Sequence, residues 1–451
     1  MAQKKRTTGR RKRQIKKIAL SVILTGFLIA VICVTISLLS DSPQKTETDS
    51  ETKIITAEQI PEQITEPQNK TVESVADKTA ESNEESVLEE VISESTPKAK
   101  TDLEVKEEQA EEILAKMSLE EKVYQMFIVK PEQLTGAETV TAAGDTTKNC
   151  LQEYPVGGLV YFKANLLNKE QTSAMLSNSQ KYALEISGLP LFLCVDEEGG
   201  KVARISSNAS FGFEKIKPMK EMKSAEEAYG AGNAIGGYLS ELGFNVDFAP
   251  DADVITNPQN TVIGDRSFGN DPELVKNYAA AYSDGLHSNG VLSAFKHFPG
   301  HGATEGDTHE GFAYTNKTLE ELKQSELVPF MAAQEKGVDM VMISHISVPE
   351  ILGNNTPCTL SRYMVTDVLK GELGYKGLIV TDAMNMGAIT NTYGNDQAVV
   401  EAVKAGVDLI LMPVDFKSAA NAVVAAVEAG EIEMDSIDES VKKIIVKKLG
   451  F

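Results

Sequence analysis

Eight short apolar segments alternate with longer segments of helical periodicity, and this alternation restricts the fold more than any other feature of the sequence. Between the apolar segments, helical patterns cover residues 225–242, 271–289, 319–336 and 396–405. Eight strand-helix units predict an α/β protein with a single (β/α)8 TIM barrel, although a doubly wound open sheet alternates in the same way. The apolar segments are residues 125–129, 157–162, 191–195, 246–249, 291–295, 340–343, 378–380 and 409–412.

Charged and polar side chains follow five of these segments, at the point where a strand would end. In a barrel the carboxyl ends of all strands converge on one face, whereas an open sheet would spread the same residues along its edge. The concentration of such residues therefore favours the barrel and predicts a functional site at that face. The residues are Asp196, Glu197, Glu198, Asp251, Asp253, Lys296, His297, His345 and Asp382.

The amino-terminal part of the chain differs in composition from the rest. Residues 1–17 are rich in Lys and Arg without an acid, and residues 18–39 are uncharged and apolar over about 22 positions, enough to cross a bilayer. This length favours an uncleaved transmembrane anchor over a cleaved signal peptide, with the basic segment in the cytoplasm. Residues 41–106 consist mostly of Glu, Thr, Ser, Lys, Gln and Pro, with more acids than bases and no aromatic side chain, which predicts a disordered acidic linker.

From this order we expect a single-pass protein of the cell membrane. Its folded domain, residues 107–451, would lie outside the cell, or be secreted if the apolar segment is cleaved. The net charge of -22 argues against a nucleic-acid partner. The four cysteines are widely spaced without a C-x-x-C pair, so neither a disulfide framework nor a zinc site is predicted. The sequence does not indicate an oligomeric state.

The loop K-H-F-P-G-H-G-A-T-E-G-D-T-H, residues 296–309, holds three of the five histidines of the chain. Imidazole titrates near neutral pH, so such a loop is suited to proton transfer. Asp307 stands two residues before His309, a spacing that lets the carboxylate orient the imidazole. Asp382 follows an apolar run, where it is either a nucleophile or the N-cap of the next helix. A carboxylate and a proton donor are the two groups that retaining glycoside hydrolysis requires.

The run K-H-F-P-G-H-G followed by D-T-H resembles the signature of the β-N-acetylglucosaminidase group in glycoside hydrolase family 3. The resemblance reaches from about residue 110 to the carboxyl terminus. It implies a TIM barrel that acts as an exo-acting retaining hydrolase, removing terminal β-linked N-acetylhexosamine from cell-wall muropeptides or related oligosaccharides, with no cofactor and no metal. Five further motifs carry it, at residues 117–123, 196–204, 245–254, 263–269 and 381–386.

The resemblance also implies a role for individual residues. Asp382 matches the nucleophile that forms a covalent glycosyl-enzyme, His309 matches the acid/base and Asp307 matches its partner. We further expect Gly300 and Gly302 to let the loop that carries this dyad swing over the site. The positions that match those holding the hydroxyls of the sugar are Asp196, Arg204, Arg266, Lys296 and His297.

The remaining histidines fit structural roles. We expect His345 to line the floor of the site, His301 to brace its own loop, and His287 to lie on a helix surface. Many family members carry a second α/β domain after the barrel, whereas this chain ends at Phe451, so we expect the proton donor to come from the barrel.

Three departures from the family pattern bear on substrate preference. Glu197 and Lys201 stand where Gln and Arg are more usual, and Thr308 stands where Ser is common. The sequence leaves open a β-N-acetylglucosaminide phosphorylase, or another β-glycosidase of the family. Two functions from other classes also stay open: a metal-dependent amidohydrolase and an inactive wall-binding module. The amidohydrolase requires an H-x-H pair near the first strand, and residues 125–129 with the loop after them contain no His.

Overall fold

Eight parallel strands occupy the eight predicted positions in a computed structural model, which describes residues 100–451. The strands follow the order β7-β6-β5-β4-β3-β2-β1-β8, and a parallel bridge between Val380 and Leu409 joins the two outer strands. The sheet is thus a closed ring, which confirms the TIM barrel and rules out the open sheet. The strands are β1 Phe127–Val129, β2 Gly158–Val160, β3 Phe192–Val195, β4 Val246–Asp247, β5 Leu292–Phe298, β6 Met340–Ile343, β7 Leu378–Thr381 and β8 Ile410–Leu411.

Helices surround the strands, and three of the four predicted helical segments form as expected. The fourth, residues 319–336, is wrong as a single helix: it forms two short helices, because Pro329 at the start of the second has no N–H to continue the helical hydrogen bonds. A π-helical segment spans Tyr363–Glu372. The α-helices are α1 Asp102–Leu114, α2 Leu119–Gln125, α3 Pro131–Thr135, α4 Asp145–Glu153, α5 Lys169–Ser187, α6 Ala225–Leu242, α7 Pro272–His287, α8 Leu319–Lys323, α9 Val328–Met331, α10 Pro349–Leu352, α11 Gly387–Thr390, α12 Asn395–Ala405, α13 Phe416–Glu428 and α14 Met434–Lys448.

The ordered domain begins earlier than residue 107, which corrects the predicted end of the linker at residue 106. Helix α1 starts at Asp102 with a capping box, in which Thr101 and Glu104 bond reciprocally to each other's backbone N–H groups. It packs against α14, where Lys442 forms an ion pair with Glu111. The polar composition concealed this helix, since only Ala110 of its residues is buried.

The predicted basic segment at 1–17, the anchor at 18–39 and most of the predicted linker lie outside the described residues. Within residues 100–451, no helix combines the length and the apolar character that a membrane crossing requires.

Lys448, near the end of α14, is buried at the amino-terminal end of the barrel and is 1% exposed. Its Nζ donates to Gln125 Oε1 at 2.7 Å and lies 5.1 Å from the ring centre of Phe192. Its charge has no carboxylate partner among the described ion pairs. Burial lowers the pKa of Lys448 to about 7, only partly offset by the nearby Cys194 thiol.

This burial predicts a pH-dependent contribution to stability. The unfolded chain, with a pKa of 10.5 for Lys448, binds its proton more tightly than the folded protein, so burial of Lys448 destabilises the fold fully below about pH 7 and not at all above 10.5. Relative to Lys448→Met, the free energy of unfolding of the wild type should rise by roughly 1.4 kcal/mol per pH unit between these limits. Urea unfolding at several pH values measures this. Lys442→Met, which removes a more exposed ion pair, is the control, and a pH-independent difference for Lys448→Met would contradict the prediction.

Candidate active site

A cavity of about 460 Å³ opens at the carboxyl ends of the strands, a size typical of small-ligand sites. The structure brings all eight predicted site residues to this cavity. They lie near the carboxyl ends of β3, β5 and β7 or on the loops that follow β3, β4 and β5, which explains how residues almost 200 positions apart in the chain share one pocket. They are Asp196, Arg204, Arg266, Lys296, His297, Asp307, His309 and Asp382.

Asp382 directly follows β7 and is half-buried. Its N–H donates to the Ile343 carbonyl at 2.9 Å, and its carboxylate accepts the N–H of Ala383 at 2.7 Å. The N-cap alternative is wrong, because the next helix begins five residues later with Met386 as its N-cap. Burial alone would raise the pKa of Asp382, but His345 and His297, together with the Ala383 N–H and Lys296, outweigh it and hold the pKa below the ordinary value. The carboxylate is therefore ionised, as a nucleophile must be.

Asp307 and His309 form the expected pair at the tip of their loop. His309 Nδ1 lies 2.8 Å from Asp307 Oδ1, which also accepts the His309 backbone N–H at 2.9 Å. Partial burial works against ionisation, yet the two hydrogen bonds from His309 keep the pKa of Asp307 below its usual value. An ionised carboxylate at Nδ1 fixes the ring and leaves Nε2 available to a substrate. The imidazole is 66% exposed, so a ligand can reach it.

The two glycines at the base of this loop are closely packed, and the expectation that they let the loop swing stays a prediction. A Cβ on Gly300 would lie 2.4 Å from the Cβ of Glu326, and one on Gly302 would lie 2.1 Å from the Val254 carbonyl oxygen. These approaches hold the base of the loop tightly against its neighbours. The loop is therefore anchored at its base.

His301 braces the loop from within, as predicted. Its Nδ1 lies 2.8 Å from the hydroxyl of Thr304 and its Nε2 lies 3.2 Å from that of Thr308. Thr304 donates to the His301 carbonyl, so it accepts from Nδ1–H. Burial lowers the pKa of His301, and the neutral ring then accepts from Thr308 at Nε2. Thr308, the departure from the family pattern, retains the hydroxyl this bond needs.

The five predicted sugar-binding residues belong to one charged network. Lys296 Nζ lies 3.0 Å from Asp196 Oδ1, and Arg204 Nη2 lies 3.6 Å from the second oxygen of Asp196. His297 Nδ1 lies 2.8 Å from Asp253 Oδ2, while its Nε2 lies 3.4 Å from Arg266. Such convergent charged groups suit a ligand rich in hydroxyls.

Glu198, which the sequence places at the strand-end face but to which it assigns no role, is the centre of this network. It accepts two hydrogen bonds from Arg266, at 2.8 and 2.7 Å, and lies 2.6 Å from Lys296 Nζ. Burial opposes its ionisation, but these two cations lower its pKa strongly. The signal that could have found it is its place in the D-E-E-G-G motif, two residues after Asp196.

Breaking this buried pair has a predictable effect. Glu198→Gln would leave Arg266 and Lys296 without their shared counterion, so we expect a loss of about 3 kcal/mol in the free energy of unfolding and a raised KM. Chemical denaturation and steady-state kinetics measure the two effects. The control is Glu227→Gln, which removes an exposed pair with Lys217 and should change stability by less than about 1 kcal/mol. Equal effects in both variants would contradict the prediction.

Glu197 explains another departure from the family pattern. Its buried carboxylate accepts five hydrogen bonds, three of them from the backbone N–H groups of Arg204, Ile205 and Ser206. The other two come from the hydroxyls of Ser206 and Tyr238. Both oxygens face only donors, so the acceptor-only carboxylate fits where an amide NH2 would not. Glu197 thereby fixes the loop that carries Arg204.

The other two histidines, His345 and His287, lie at opposite ends of the barrel. His345 is fully buried behind the segment that follows Asp382, where its Nε2 donates to the Ala383 carbonyl at 3.0 Å, so it supports the floor of the site without lining the cavity. The prediction of a surface role for His287 is wrong: it is half-buried at the amino-terminal end of the barrel and pairs with Asp339, which also binds Lys447 at 2.7 Å.

Asp251, Asp253 and His297 are the one group among residues 100–451 with metal-ligand character, their ligand atoms all lying within 4.8 Å of one another. The chemistry of the donors does not suit an ion, because His297 Nδ1 already bonds Asp253 and the Arg266 guanidinium lies 3.4 Å from Asp251. Burial, together with Asp253, raises the pKa of Asp251 well above its usual value. The group is thus better described as part of the ion-pair network than as a zinc site.

Comparison with known proteins gives a consistent result. Residues 118–446 match the model of the glycosyl hydrolase family 3 N-terminal domain. β-Hexosaminidase A of Pseudoalteromonas piscicida is 35% identical over 60% of this chain and 48% of that protein, so the chain spans about half the length of that relative. A β-hexosaminidase of Mycobacterium tuberculosis is 31% identical over 74% of this chain and 84% of that protein.

Solved structures agree. A family 3 β-N-acetylglucosaminidase from Paenibacillus superimposes with a TM-score of 0.69 at 36% identity, covering 74% of this chain and 62% of the other. A β-N-acetylhexosaminidase from Beutenbergia cavernae gives a TM-score of 0.66 at 25% identity, covering 74% and 99%. This chain therefore belongs to glycosyl hydrolase family 3, in the group that contains the β-hexosaminidases.

Proposed function

We propose that this protein is a retaining exo-β-N-acetylglucosaminidase, a β-N-acetylhexosaminidase that removes terminal non-reducing N-acetylhexosamine. The observation that carries the proposal is the meeting of Asp382, Asp307 and His309 at one cavity. An ionised carboxylate and an imidazole oriented by a second carboxylate are the two halves of a double-displacement hydrolase. The relatives named β-hexosaminidase support the choice of sugar.

In the first step, the Asp382 carboxylate attacks the anomeric carbon and forms a covalent glycosyl-enzyme. The glycosidic bond breaks, and His309 gives the proton of its Nε2 to the departing oxygen. In the second step, His309 takes a proton from water, whose oxygen attacks the anomeric carbon and releases Asp382. Asp307 stabilises the imidazolium in each cycle and keeps the ring oriented.

The charged network supplies the side chains that would bind a terminal sugar in this site. Asp196, Lys296 and Arg204 present donors and acceptors on one side of the cavity, and Arg266 with His297 present others. Charged hydrogen bonds to hydroxyls hold the ring in a fixed orientation for attack. A cavity of this size suits one sugar at a chain end, which supports exo action.

The test is release of 4-nitrophenol from its β-N-acetylglucosaminide by the full-length chain. We expect turnover without added phosphate and unchanged turnover in EDTA, since every proposed chemical role belongs to a side chain. An inert protein would overturn the proposal. Release that depends on phosphate would instead identify a phosphorylase, and loss in EDTA would favour the metal-dependent class.

We also propose that the natural substrates are cell-wall muropeptides or related oligosaccharides, met at the outer face of the membrane. The support is the order of the basic run at 1–17, the apolar run at 18–39 and the polar linker that follows. Fractionation of cells, with protease added outside, tests the topology: the domain should stay with the membrane and be cleaved. A domain protected in the cytoplasm would contradict it.

A further inference from the structure

The short segment after the nucleophile contacts the backbone at the tip of the dyad loop. Ala388 N–H donates to the Thr308 carbonyl at 3.0 Å, and Asn391 Nδ2 donates to the Glu310 carbonyl at 3.2 Å. His309 lies between these two loop residues, and a Cβ placed on Gly387 would be only 2.7 Å from its carbonyl oxygen. Three consecutive residues of the loop, with His309 in the middle, therefore rest on one segment.

The contact, and not the backbone conformation, requires glycine at position 387. Gly387 is absent from the glycines with positive φ, so an alanine could adopt its backbone angles. What an alanine would meet is the backbone of the loop, with the Glu310 carbonyl group 3.0 Å from the added atom. Backbone atoms cannot turn aside as the end of a flexible side chain can, so the loop tip must shift.

The segment is tied to the nucleophile at its other end. Ala383 N–H bonds the Asp382 carboxylate, Met384 N–H donates to the Leu411 carbonyl at 2.9 Å, and Met386 N–H donates to the Ala383 carbonyl at 3.0 Å. These bonds fix the chain from Asp382 to the start of α11. A displacement at Gly387 is therefore passed to the loop tip, since the nucleophile side is held.

The base of the loop does not compete with this contact. Asn257 and Asn260 bind the carbonyl groups of Thr304 and His301, several residues before the tip. On the other side of the loop, Glu305 and Tyr314 exchange backbone hydrogen bonds at 3.0 Å, also away from the tip. Within residues 307–311, the hydrogen bonds that reach the backbone from outside the loop come from the segment after Asp382. The spacing between acid/base and nucleophile is thus set at the tip.

We propose that Gly387 and Asn391 are positioning residues, which set the place of the His309 imidazole relative to Asp382. This inference rests on the proposed function, because it assigns the purpose of the contact to proton transfer. Neither residue touches the substrate in this role. Both act through the backbone of the dyad loop.

The test compares Gly387→Ala with Gly394→Ala in the full-length chain. Gly394 lies seven residues on, with φ of -67° and no atom within 4 Å of an added Cβ, so its alanine variant should behave as the wild type. For Gly387→Ala we expect kcat on N,N′-diacetylchitobiose to fall at least about tenfold, because the poor leaving group needs the proton of His309. With a 2,4-dinitrophenyl glycoside, which needs no proton, the first step should change by less than about threefold.

Two further measurements separate positioning from general damage. In a His309→Ala background, Gly387→Ala should cause at most about a twofold further loss, because the group it misplaces is gone. Asn391→Ala removes one hydrogen bond without introducing a clash. It should also lower kcat on N,N′-diacetylchitobiose more than it slows the first step with the dinitrophenyl glycoside, but by a smaller factor than Gly387→Ala. If Gly387→Ala does not fold, the Asn391→Ala variant tests the positioning role.

Equal losses on both substrates, additive losses with His309→Ala, or an Asn391→Ala variant that behaves as the wild type on both substrates would overturn the inference. Failure of the proposed function is distinguishable, because an inert wild type shows it before any variant is compared.

Discussion

Alanine in place of Asp382 is expected to lower kcat on 4-nitrophenyl β-N-acetylglucosaminide by roughly 10⁴- to 10⁶-fold, the range seen when a covalent nucleophile is removed. The reason is that no other carboxylate can take its place: the nearby acids Asp196 and Glu198 are already bound to Lys296. Stopped-assay kinetics with an active-site titration measures the loss.

Binding should survive this change better than turnover. The network of Lys296, Arg204 and Arg266 does not use Asp382 as a partner, so the inactive variant should still bind N-acetylglucosamine in calorimetry. Asp382→Asn, which keeps the shape, should be nearly as inactive as alanine because an amide is a poor nucleophile. The exposed Asp145 provides a control, and its alanine variant should keep full activity. A fully active Asp382→Ala would remove it from the nucleophile role.

The second large effect concerns His309 and depends on the leaving group. For His309→Ala we expect kcat on a natural disaccharide to fall by about 10²- to 10⁴-fold, the usual contribution of a general acid. With a dinitrophenyl leaving group, formation of the glycosyl-enzyme should lose far less, because that group departs without a proton. Pre-steady-state release of dinitrophenol measures this step separately from hydrolysis of the intermediate.

Asp307→Asn tests the orientation of the ring. Asparagine retains a carbonyl oxygen for the His309 Nδ1–H but loses the charge that stabilises the imidazolium. We therefore expect Asp307→Asn to lower kcat more on a natural disaccharide than on a dinitrophenyl glycoside, as for His309→Ala, but by a smaller factor. Glu310→Ala, at the exposed neighbour of His309, serves as the matched control. Equal losses of His309→Ala on all leaving groups would exclude a proton-donor role.

The barrel was predictable because its strands are short, buried and bounded by helices. Residues 340–343 read as an apolar run with no polar position, and all four are buried in β6. The sites at strand ends followed from the same reasoning, since fold geometry gathers them. Element boundaries differ from the prediction where polar residues form structure, as in α1, whose capping box lies in a stretch with the composition of a linker.

Other residues were misjudged because their partners are remote in the chain. His287 read as a surface residue, yet Asp339, 52 positions away, pairs with it. Glu198 reads in the sequence as one of several acids, whereas in the fold Arg266 from another loop and Lys296 from β5 both bind it.

The sequence by itself determined the alternation of strands and helices, the family, and the residue types available for catalysis, because periodicity and motif order are local properties of the chain; closure of the sheet into a barrel was decided by the tertiary structure. It placed Asp307 beside His309, since two residues of separation already bring the carboxylate to the imidazole. Only the tertiary structure decided what lies against these groups: Glu198 between two cations, Glu197 among five donors, and Gly387 under the backbone of His309. Those arrangements join segments far apart in the chain, and the closed barrel is what brings them within contact distance.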